Sequence, residues 1–179
     1  MFNTLLIIIT LICSIHFSGN AQTVLKNLIK NPSFEYTGKD TVRERSDDSW
    51  KFTTNYESVT GHVTTSRAID GFRSFLIRAE SGRGYLESEQ FEVKRFENYL
   101  LSVGVCGNGR IEAEVRWWQE EKDSLILLET EYLDIIVPSQ NWSIPQFQVT
   151  APRRASAGTV RFTVFEGQVW IDDVRFRQF

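Results

Sequence analysis

Hydrophobic and polar residues alternate with a period of two along most of the chain after residue 22. The alternating segments are rich in Val, Ile, Phe, Thr and Trp, and turn residues separate them about every ten positions, a spacing typical of antiparallel sandwiches and barrels. We therefore predict an all-β chain that folds as an antiparallel two-sheet β-sandwich. The predicted strands are 24–29, 49–55, 62–69, 74–80, 84–93, 98–107, 110–120, 125–136, 142–151, 158–167 and 168–178.

Two segments between or within these strands need separate treatment. The segment 125–136 also shows near-helical spacing, so a helix is the alternative there. We favour a strand, because the segment lies between predicted strands and ends at Pro138. Asn108 and Gly109 predict a tight hairpin, since this pair supplies the positive φ angles of a type I′ turn. The polar stretch 38–49 predicts an exposed loop.

The first residues differ from the rest of the chain. The run from Leu5 to Ile15 is almost continuously apolar, and Gly19 and Ala21 fit the small-residue pattern before a signal-peptidase site. We predict a signal peptide over 1–21, one domain over 22–179, and a secreted, periplasmic or cell-surface location. A membrane anchor is the alternative, but the run is shorter than the ~20 apolar residues that span a bilayer, and the mature chain has no predicted span.

Charge and residue usage exclude several functions. The net charge of −3 gives no electrostatic support for binding to nucleic acid or to an anionic membrane. After removal of residues 1–21, Cys106 is the only thiol and His62 the only histidine, so no internal disulfide is possible. The same scarcity argues against a zinc site and against Ser-His-Asp or Cys-His catalysis.

Acidic residues stand beside core-type residues near both ends of the chain. Glu35 ends the stretch "NLIKNPSFE", and Asp172 and Asp173 interrupt the strand pattern "VWIDDVRF". If the first and last strands lie side by side, these carboxylates converge, and they then resist burial unless a cation joins them. Calcium, which prefers oxygen ligands, is the natural cation. The alternative is solvated acids that pair with Arg175 or Lys30.

A second cluster of candidates lies on the strand "RIEAEVRWWQE". Alternation places Glu114, Arg116 and Trp118 on the face opposite the core. An indole ring can stack on the apolar face of a sugar, while Arg and Glu side chains bind its hydroxyls. The alternative is that Trp118 is simply covered by a loop or by an arginine stem.

Two further residues are candidates for the same sugar-binding face. Arg78, with Glu80, either joins the polar face of Trp118 or forms a cross-strand ion pair of little energetic weight. Trp50 follows the polar loop and is predicted to edge the site.

Several segments, in this order, resemble the carbohydrate-binding modules of families four, nine and twenty-two. They are "NLIKNPSFE", Trp50, "DGFRSFLI", "YLLSVGVCGNGRIEAEVRWW", "NWSIPQFQVTAP" and "VWIDDVRF". The resemblance implies a jelly-roll sandwich with a galactose-binding-like fold. It also implies that a Trp at the position of Trp50 is either an anchor in the core or a residue near the ligand. It also implies a structural Ca²⁺ between Glu35 and either Asp172 or Asp173, with loop carbonyls completing the shell.

Three functions are consistent with these residues. The first is a secreted, non-catalytic protein that binds a poly- or oligosaccharide and can act beside a separate polysaccharide-degrading enzyme. The second is a glycoside hydrolase or polysaccharide lyase on the same frame, with Glu112, Glu114 and Glu120 as candidate acids. The third is a cell-surface protein-interaction module. We favour the first, although no row of aromatic residues recurs at matched positions on several strands.

Overall fold

The computed structural model describes residues 25–36, 49–122 and 124–179, and every regular element in these ranges is a β-strand. The all-β prediction is therefore confirmed, and the ambiguous segment 125–136 is a strand. The elements are β1 (Trp50–Thr54), β2 (Val59–Thr64), β3 (Ser74–Ala79), β4 (Gly84–Ser88), β5 (Phe91–Glu92), β6 (Asn98–Gly107), β7 (Arg110–Glu121), β8 (Ser124–Ile136), β9 (Gln146–Thr150) and β10 (Ala157–Gln178).

Two parts of the sequence prediction lie outside the described residues. These are the signal peptide over 1–21 and, except for Ser49, the polar loop over 38–49. In the ranges that are described, no helix has the length and apolar character needed to cross a membrane.

The strands form two antiparallel sheets that share β10. The first sheet runs in the order β1–β4–β10–β7–β8, and β5 also pairs with the start of β10. The second sheet runs in the order β2–β3–β10–β6–β9. The predicted two-sheet sandwich is confirmed, with β10 as the central strand of both sheets.

The passage of β10 from one sheet to the other occurs near Gly167. The sequence predicts two strands here, 158–167 and 168–178, but the structure has one strand with a register shift between Val164 and Glu166. Gly167 has a φ angle of 80°, and a Cβ there would lie 2.6 Å from the Cα of Gly109. Glycine is therefore needed for both the backbone angle and the close approach.

The hairpin predicted at Asn108 and Gly109 is wrong. β6 belongs to the second sheet and β7 to the first, so this connection crosses between sheets instead of joining two paired strands. The amide of Asn108 donates to the carbonyl of Gln168 at 3.0 Å, which holds the crossing against β10. The local Asn-Gly signal identifies a turn but does not specify which strands it joins.

The core lies between the two sheets. Its aromatic centre joins β7 of the first sheet to β6 and β10 of the second: the ring centroid of Phe176 lies 5.1 Å from that of Tyr99 and 6.2 Å from that of Trp117. Cys106 is a buried free thiol whose pKa burial raises, as expected of an unreactive cysteine. His62, the first residue of the predicted strand 62–69, is an exposed residue of β2.

The chain's two ends lie side by side, as the sequence predicts. The amide of Leu28 donates to the carbonyl of Phe176, and the amide of Val174 to the carbonyl of Pro32, each at 2.9 Å. The prediction of a strand over 24–29 is wrong for its described part, because Asn27 intervenes. Its side-chain oxygen accepts the amide of Phe176 at 2.8 Å and its side-chain nitrogen donates to the carbonyl of Val174 at 3.0 Å.

Candidate functional site

The outer face of the first sheet, which points away from the core, holds the main group of polar and aromatic side chains. Residues directly opposite each other on paired strands point to the same face. One such row crosses the sheet from β8 to β1 and consists of Tyr132, Glu114, Arg161, Glu87 and Lys51. The predicted site residue Glu114 therefore shares a row with one acid, two basic residues and one tyrosine, each from a different strand.

Glu87 is the centre of a hydrogen-bonded group on this face. Its Oε1 accepts from Arg116 Nη1 at 2.8 Å and from Thr159 Oγ1 at 2.9 Å. Its Oε2 accepts from Nη2 of Arg161 at 2.8 Å and from Nε at 3.2 Å. The same Nε lies 3.4 Å from Oε1 of Glu114. These five residues form what we term the glutamate–arginine cluster, and the planar guanidinium groups fix its geometry.

The cluster changes the acidity of its two glutamates in opposite directions. Burial would raise the pKa of Glu87, but the hydrogen bond and charge of Arg161, together with Thr159 and Arg116, hold that pKa below its ordinary value. Burial raises the pKa of Glu114, and the charges of Arg161 and Arg116 only partly oppose the rise. Glu87 thus holds its negative charge more firmly than Glu114 does.

Trp118 is half-buried at the end of the same face. The guanidinium carbon of Arg116 lies 4.8 Å from its ring centroid, and its indole N–H donates to Thr159 Oγ1 at 3.2 Å. The predicted association of Trp118, Arg116 and Glu114 is therefore observed. One alternative reading of the sequence also holds in part, since Arg116 covers one side of the indole.

Two tyrosines complete the aromatic surface. Tyr132 is 67% exposed, and Tyr85 is half-buried with the guanidinium carbon of Arg161 5.4 Å from its ring. Tyr85 lies in the row of Glu112, six residues along β7 from Trp118, so the aromatic positions extend over about 20 Å of the sheet. The arrangement presents separated rings with fixed hydrogen-bonding groups between them.

A cavity of about 480 Å³ adjoins the Trp118 end of this face. It is lined by residues that include Glu92, Glu120, Lys122 and Leu125. The amide of Ser156, also on its wall, donates to the carbonyl of Trp118 at 2.9 Å. The aromatic face therefore continues into a polar recess at the end of the strands.

The structure does not bring the other two predicted sugar-binding residues to this face. Arg78 is exposed on β3 of the second sheet, opposite Gln168 of β10. The ring of Trp50 packs between Phe34 at 5.2 Å and Phe162 at 6.3 Å, and its N–H donates to the carbonyl of Asn31 at 3.0 Å. The alternation of polar and apolar residues does not show which sheet a strand joins. For this reason the sequence predicts Arg78 on the same face as Trp118, although it lies on the other sheet.

Sequence reasoning missed most members of the cluster. Tyr132 lies in the segment 125–136, where the sequence shows no clear alternation. The cluster members Glu87, Thr159 and Arg161, and the nearby Tyr85, occupy positions that alternate with core-type residues along predicted strands. This alternation predicts that their side chains point away from the core, and the sequence gives no further indication that they bind one another. Their association depends on β10 lying between β4 and β7, which the sequence does not show.

The predicted metal ligands bind backbone amides of one loop. Oε1 of Glu35 accepts the amides of Phe72 and Arg73, each at 2.7 Å. Oδ2 of Asp172 accepts the amides of Ile69 at 2.7 Å and Asp70 at 3.1 Å. We term this arrangement the carboxylate clamp on loop 69–73. The two acids converge on one segment, as predicted, but at different amides.

Asp173 has a separate environment. Its Oδ1 accepts from Arg175 Nε at 2.6 Å, which matches the ion pair weighed as the alternative to a metal. Lys30 instead pairs with Glu89 at 2.7 Å. Within 25–36, 49–122 and 124–179, no three His, Cys, Asp or Glu side chains are grouped so as to hold a metal ion. The calcium site therefore stays a prediction.

No protein-family model matches the sequence, and no curated protein matches it either. Solved structures do match. A structure of TmCBM61 in complex with β-1,4-galactotriose matches with a TM-score of 0.58 and 15% sequence identity. The match covers 86% of this chain and 99% of the TmCBM61 chain. A family 4 carbohydrate-binding module is similar, with a TM-score of 0.53 and 16% identity over 84% of this chain and 99% of the module.

Larger proteins match over one part only. The enzymatically active domain of tailspike protein 4 of bacteriophage CBA120 gives a TM-score of 0.64 at 12% identity, and 86% of this chain covers 21% of that chain. The chain thus spans about a fifth of the tailspike structure. At these identities the matches establish the fold: the chain has the β-sandwich jelly roll of carbohydrate-binding modules, in agreement with the resemblance seen in the sequence.

We predict that the neighbouring aspartates differ sharply in their contribution to stability. In Asp172→Asn one acceptor oxygen becomes an N–H₂ group in a fully buried position, which then faces either the amides of Ile69 and Asp70 or the amide of Asp173. The free energy of unfolding in urea should fall by about 2–4 kcal/mol.

Asp173→Asn is the matched control. Its φ angle of 45° is one that asparagine tolerates, and its partner Arg175 is partly exposed, so the loss should stay below about 1 kcal/mol. Equal losses for both variants would contradict the carboxylate clamp.

We also predict that Glu87 and Glu114 titrate on opposite sides of the ordinary glutamate pKa, as measured by NMR of the side-chain carboxyl carbons. Because Glu87 binds its proton more weakly in the folded protein, its contribution to stability is present at neutral pH and is lost as the pH falls through its lowered pKa. Arg161→Gln should raise both pKa values. A higher pKa for Glu87 than for Glu114 in the unsubstituted protein would contradict this description.

Proposed function

We propose that the protein is a secreted, non-catalytic carbohydrate-binding protein that holds an oligo- or polysaccharide against the outer face of the first sheet. The observation that carries the proposal is the combination on one face of three separated aromatic rings, Trp118, Tyr85 and Tyr132, with the glutamate–arginine cluster between them. Aromatic rings stack on the apolar faces of sugars, and carboxylates and guanidinium groups bind sugar hydroxyls.

The rigidity of the cluster supports a binding role. Its polar groups are held by one another, so a ligand would not have to order them on binding. Solved structures that match this fold include TmCBM61 in complex with β-1,4-galactotriose and the CBM22-1 and GH10 modules of a Clostridium thermocellum xylanase complexed with xylohexaose. The xylanase structure has a TM-score of 0.60 at 17% identity, with 86% of this chain covering 29% of it.

The same contacts support a non-catalytic role. Glycoside hydrolysis requires two carboxyl groups with the scissile bond between them. Glu87 and Glu114 have divergent pKa values, but the guanidinium of Arg161 bridges them and occupies the space that a substrate would need. We therefore expect no release of reducing sugar.

Export and partnership belong to the proposal on sequence grounds. The predicted signal peptide over 1–21 supports secretion to the periplasm, the cell surface or the medium. A non-catalytic protein of this kind would act beside a separate polysaccharide-degrading enzyme by keeping it near its substrate.

The proposal is tested by affinity electrophoresis and calorimetry against neutral soluble polysaccharides. Tyr132→Ala and Trp118→Ala should each weaken binding at least about tenfold, because each removes a stacking surface. Trp118→Phe retains a ring and should lose less. Tyr36→Ala is the matched control, since Tyr36 is 75% exposed and lies outside the face. Failure to bind any polysaccharide, or an equal loss in the control, would reject the proposal.

A structural Ca²⁺ near Glu35 and Asp172 is the remaining part of the proposal. Asp172 is fully buried, burial raises its pKa, and no described Lys or Arg side chain pairs with it. A cation would offset that burial, with backbone carbonyls supplying the ligands that the acids do not.

The calcium hypothesis predicts that the melting temperature of chelator-treated protein rises when Ca²⁺ is added but not when Mg²⁺ is added, because the larger ion accepts irregular oxygen ligands. Glu35→Gln should reduce the rise. An unchanged melting temperature would mean that the carboxylate clamp is complete without a metal.

A further inference from the structure

Two neighbouring loops at one end of the sandwich bring four cationic side chains around an exposed phenylalanine. The first loop, residues 93–97, contains Lys94, Arg95 and Phe96, and the second, residues 151–155, contains Arg153 and Arg154. All five side chains are exposed. We term these two loops the basic tip.

Backbone hydrogen bonds hold the two loops together. The amide of Phe96 donates to the carbonyl of Ala151 at 2.9 Å, and the amide of Ala151 donates to the carbonyl of Glu97 at 3.0 Å. The amide of Lys94 donates to the hydroxyl of Tyr99 at 2.7 Å, and Tyr99 is a fully buried core residue. The cations are therefore displayed on a surface anchored to the core.

The charge of the tip differs from that of the chain. The whole sequence has a net charge of −3, whereas the tip has four cations and one acid, Glu97. None of the ion pairs among the described residues uses these four cations. Their positive charge is thus available to an anionic partner.

Phe96 indicates which kind of anionic partner fits. It is 67% exposed and has a φ angle of 63°, which is rare for a bulky residue and projects the ring from a tight turn. A soluble polyanion would leave the ring in water, whereas a lipid surface would take it up.

We propose that the basic tip docks the protein onto an anionic lipid bilayer, with the four cations at the headgroups and Phe96 in the interface. Cations near such a surface and aromatic residues at the headgroup boundary reinforce each other. The tip adjoins the Trp118 end of the first sheet, where the amide of Val93 donates to the carbonyl of Ser156 and the amide of Ser156 donates to the carbonyl of Trp118. None of the five tip side chains belongs to the glutamate–arginine cluster, so the proposal does not depend on carbohydrate binding.

Sedimentation with lipid vesicles tests the proposal. The full chain should pellet with vesicles of about one third phosphatidylglycerol in phosphatidylcholine, more weakly as salt rises, and not with phosphatidylcholine alone. Arg153→Gln with Arg154→Gln should weaken binding about fivefold per cation removed. Phe96→Ser should weaken it further without a change in charge. If the Arg153/Arg154 variant does not fold, Lys94→Gln with Arg95→Gln provides the same test on the other loop.

The matched control removes two arginines at the opposite end of the first sheet. Arg83 and Arg110 each stack 5.0 Å from the ring of Phe165, and Arg83→Gln with Arg110→Gln should leave vesicle binding unchanged. Three results would overturn the proposal: equal pelleting with neutral vesicles, an equal loss in this control, or no effect of Phe96→Ser. Retention on heparin without vesicle binding would also overturn it, since the partner would then be a soluble polyanion.

Discussion

The architecture depends on the pairing of β10 with both of its neighbours in both sheets. Its first half lies between β4 and β7, and its second half lies between β3 and β6. Its buried residues contribute to the core along its whole length, and Gly167 permits the bend that joins the two halves. The candidate carbohydrate face and the carboxylate clamp both include residues of this strand, so the position of each site is set by one segment of backbone.

The sequence predicted much of the fold because alternation is a local property. The strands predicted at 74–80, 98–107 and 110–120 and the outward phase of Trp118, Arg116 and Glu114 are correct for that reason, and the strand predicted at 125–136 is also correct. The predictions 62–69 and 142–151 differ by several residues from β2 (Val59–Thr64) and β9 (Gln146–Thr150), and 84–93 is divided into β4 and β5. Strand order is not local. Arg78 alternates with core residues as Arg116 does, but it lies on the other sheet. Glu87 is the centre of a cluster because β10 lies beside β4 and brings two arginines within hydrogen-bond distance of it.

Single residues next to strands explain the remaining errors. Asn27 replaces backbone pairing with side-chain hydrogen bonds, so the N-terminal segment follows β10 without forming a strand. Tryptophan is a residue type that stacks on sugars, but the indole N–H of Trp50 donates to the backbone carbonyl of Asn31. The segment around Asn31 therefore covers this side chain. Glu35 and Asp172 lie near one another, as the sequence predicts. Their hydrogen-bond donors are backbone amides of loop 69–73, and a pattern of side chains does not predict such partners.

The position of β10 after the nine other described strands in the sequence constrains how the protein reaches its native state. β3 and β4 adjoin in sequence but enter different sheets, and so do β6 and β7. Before residues 157–178 are available, each sheet lacks its central strand, and β4 and β7 cannot be linked. Pairing across such sequence separations is slow, because the entropy of closing long loops is lost before the contacts form. Assembly of the sandwich is therefore expected to follow the synthesis of residues 157–178, with partly paired strand edges exposed until then.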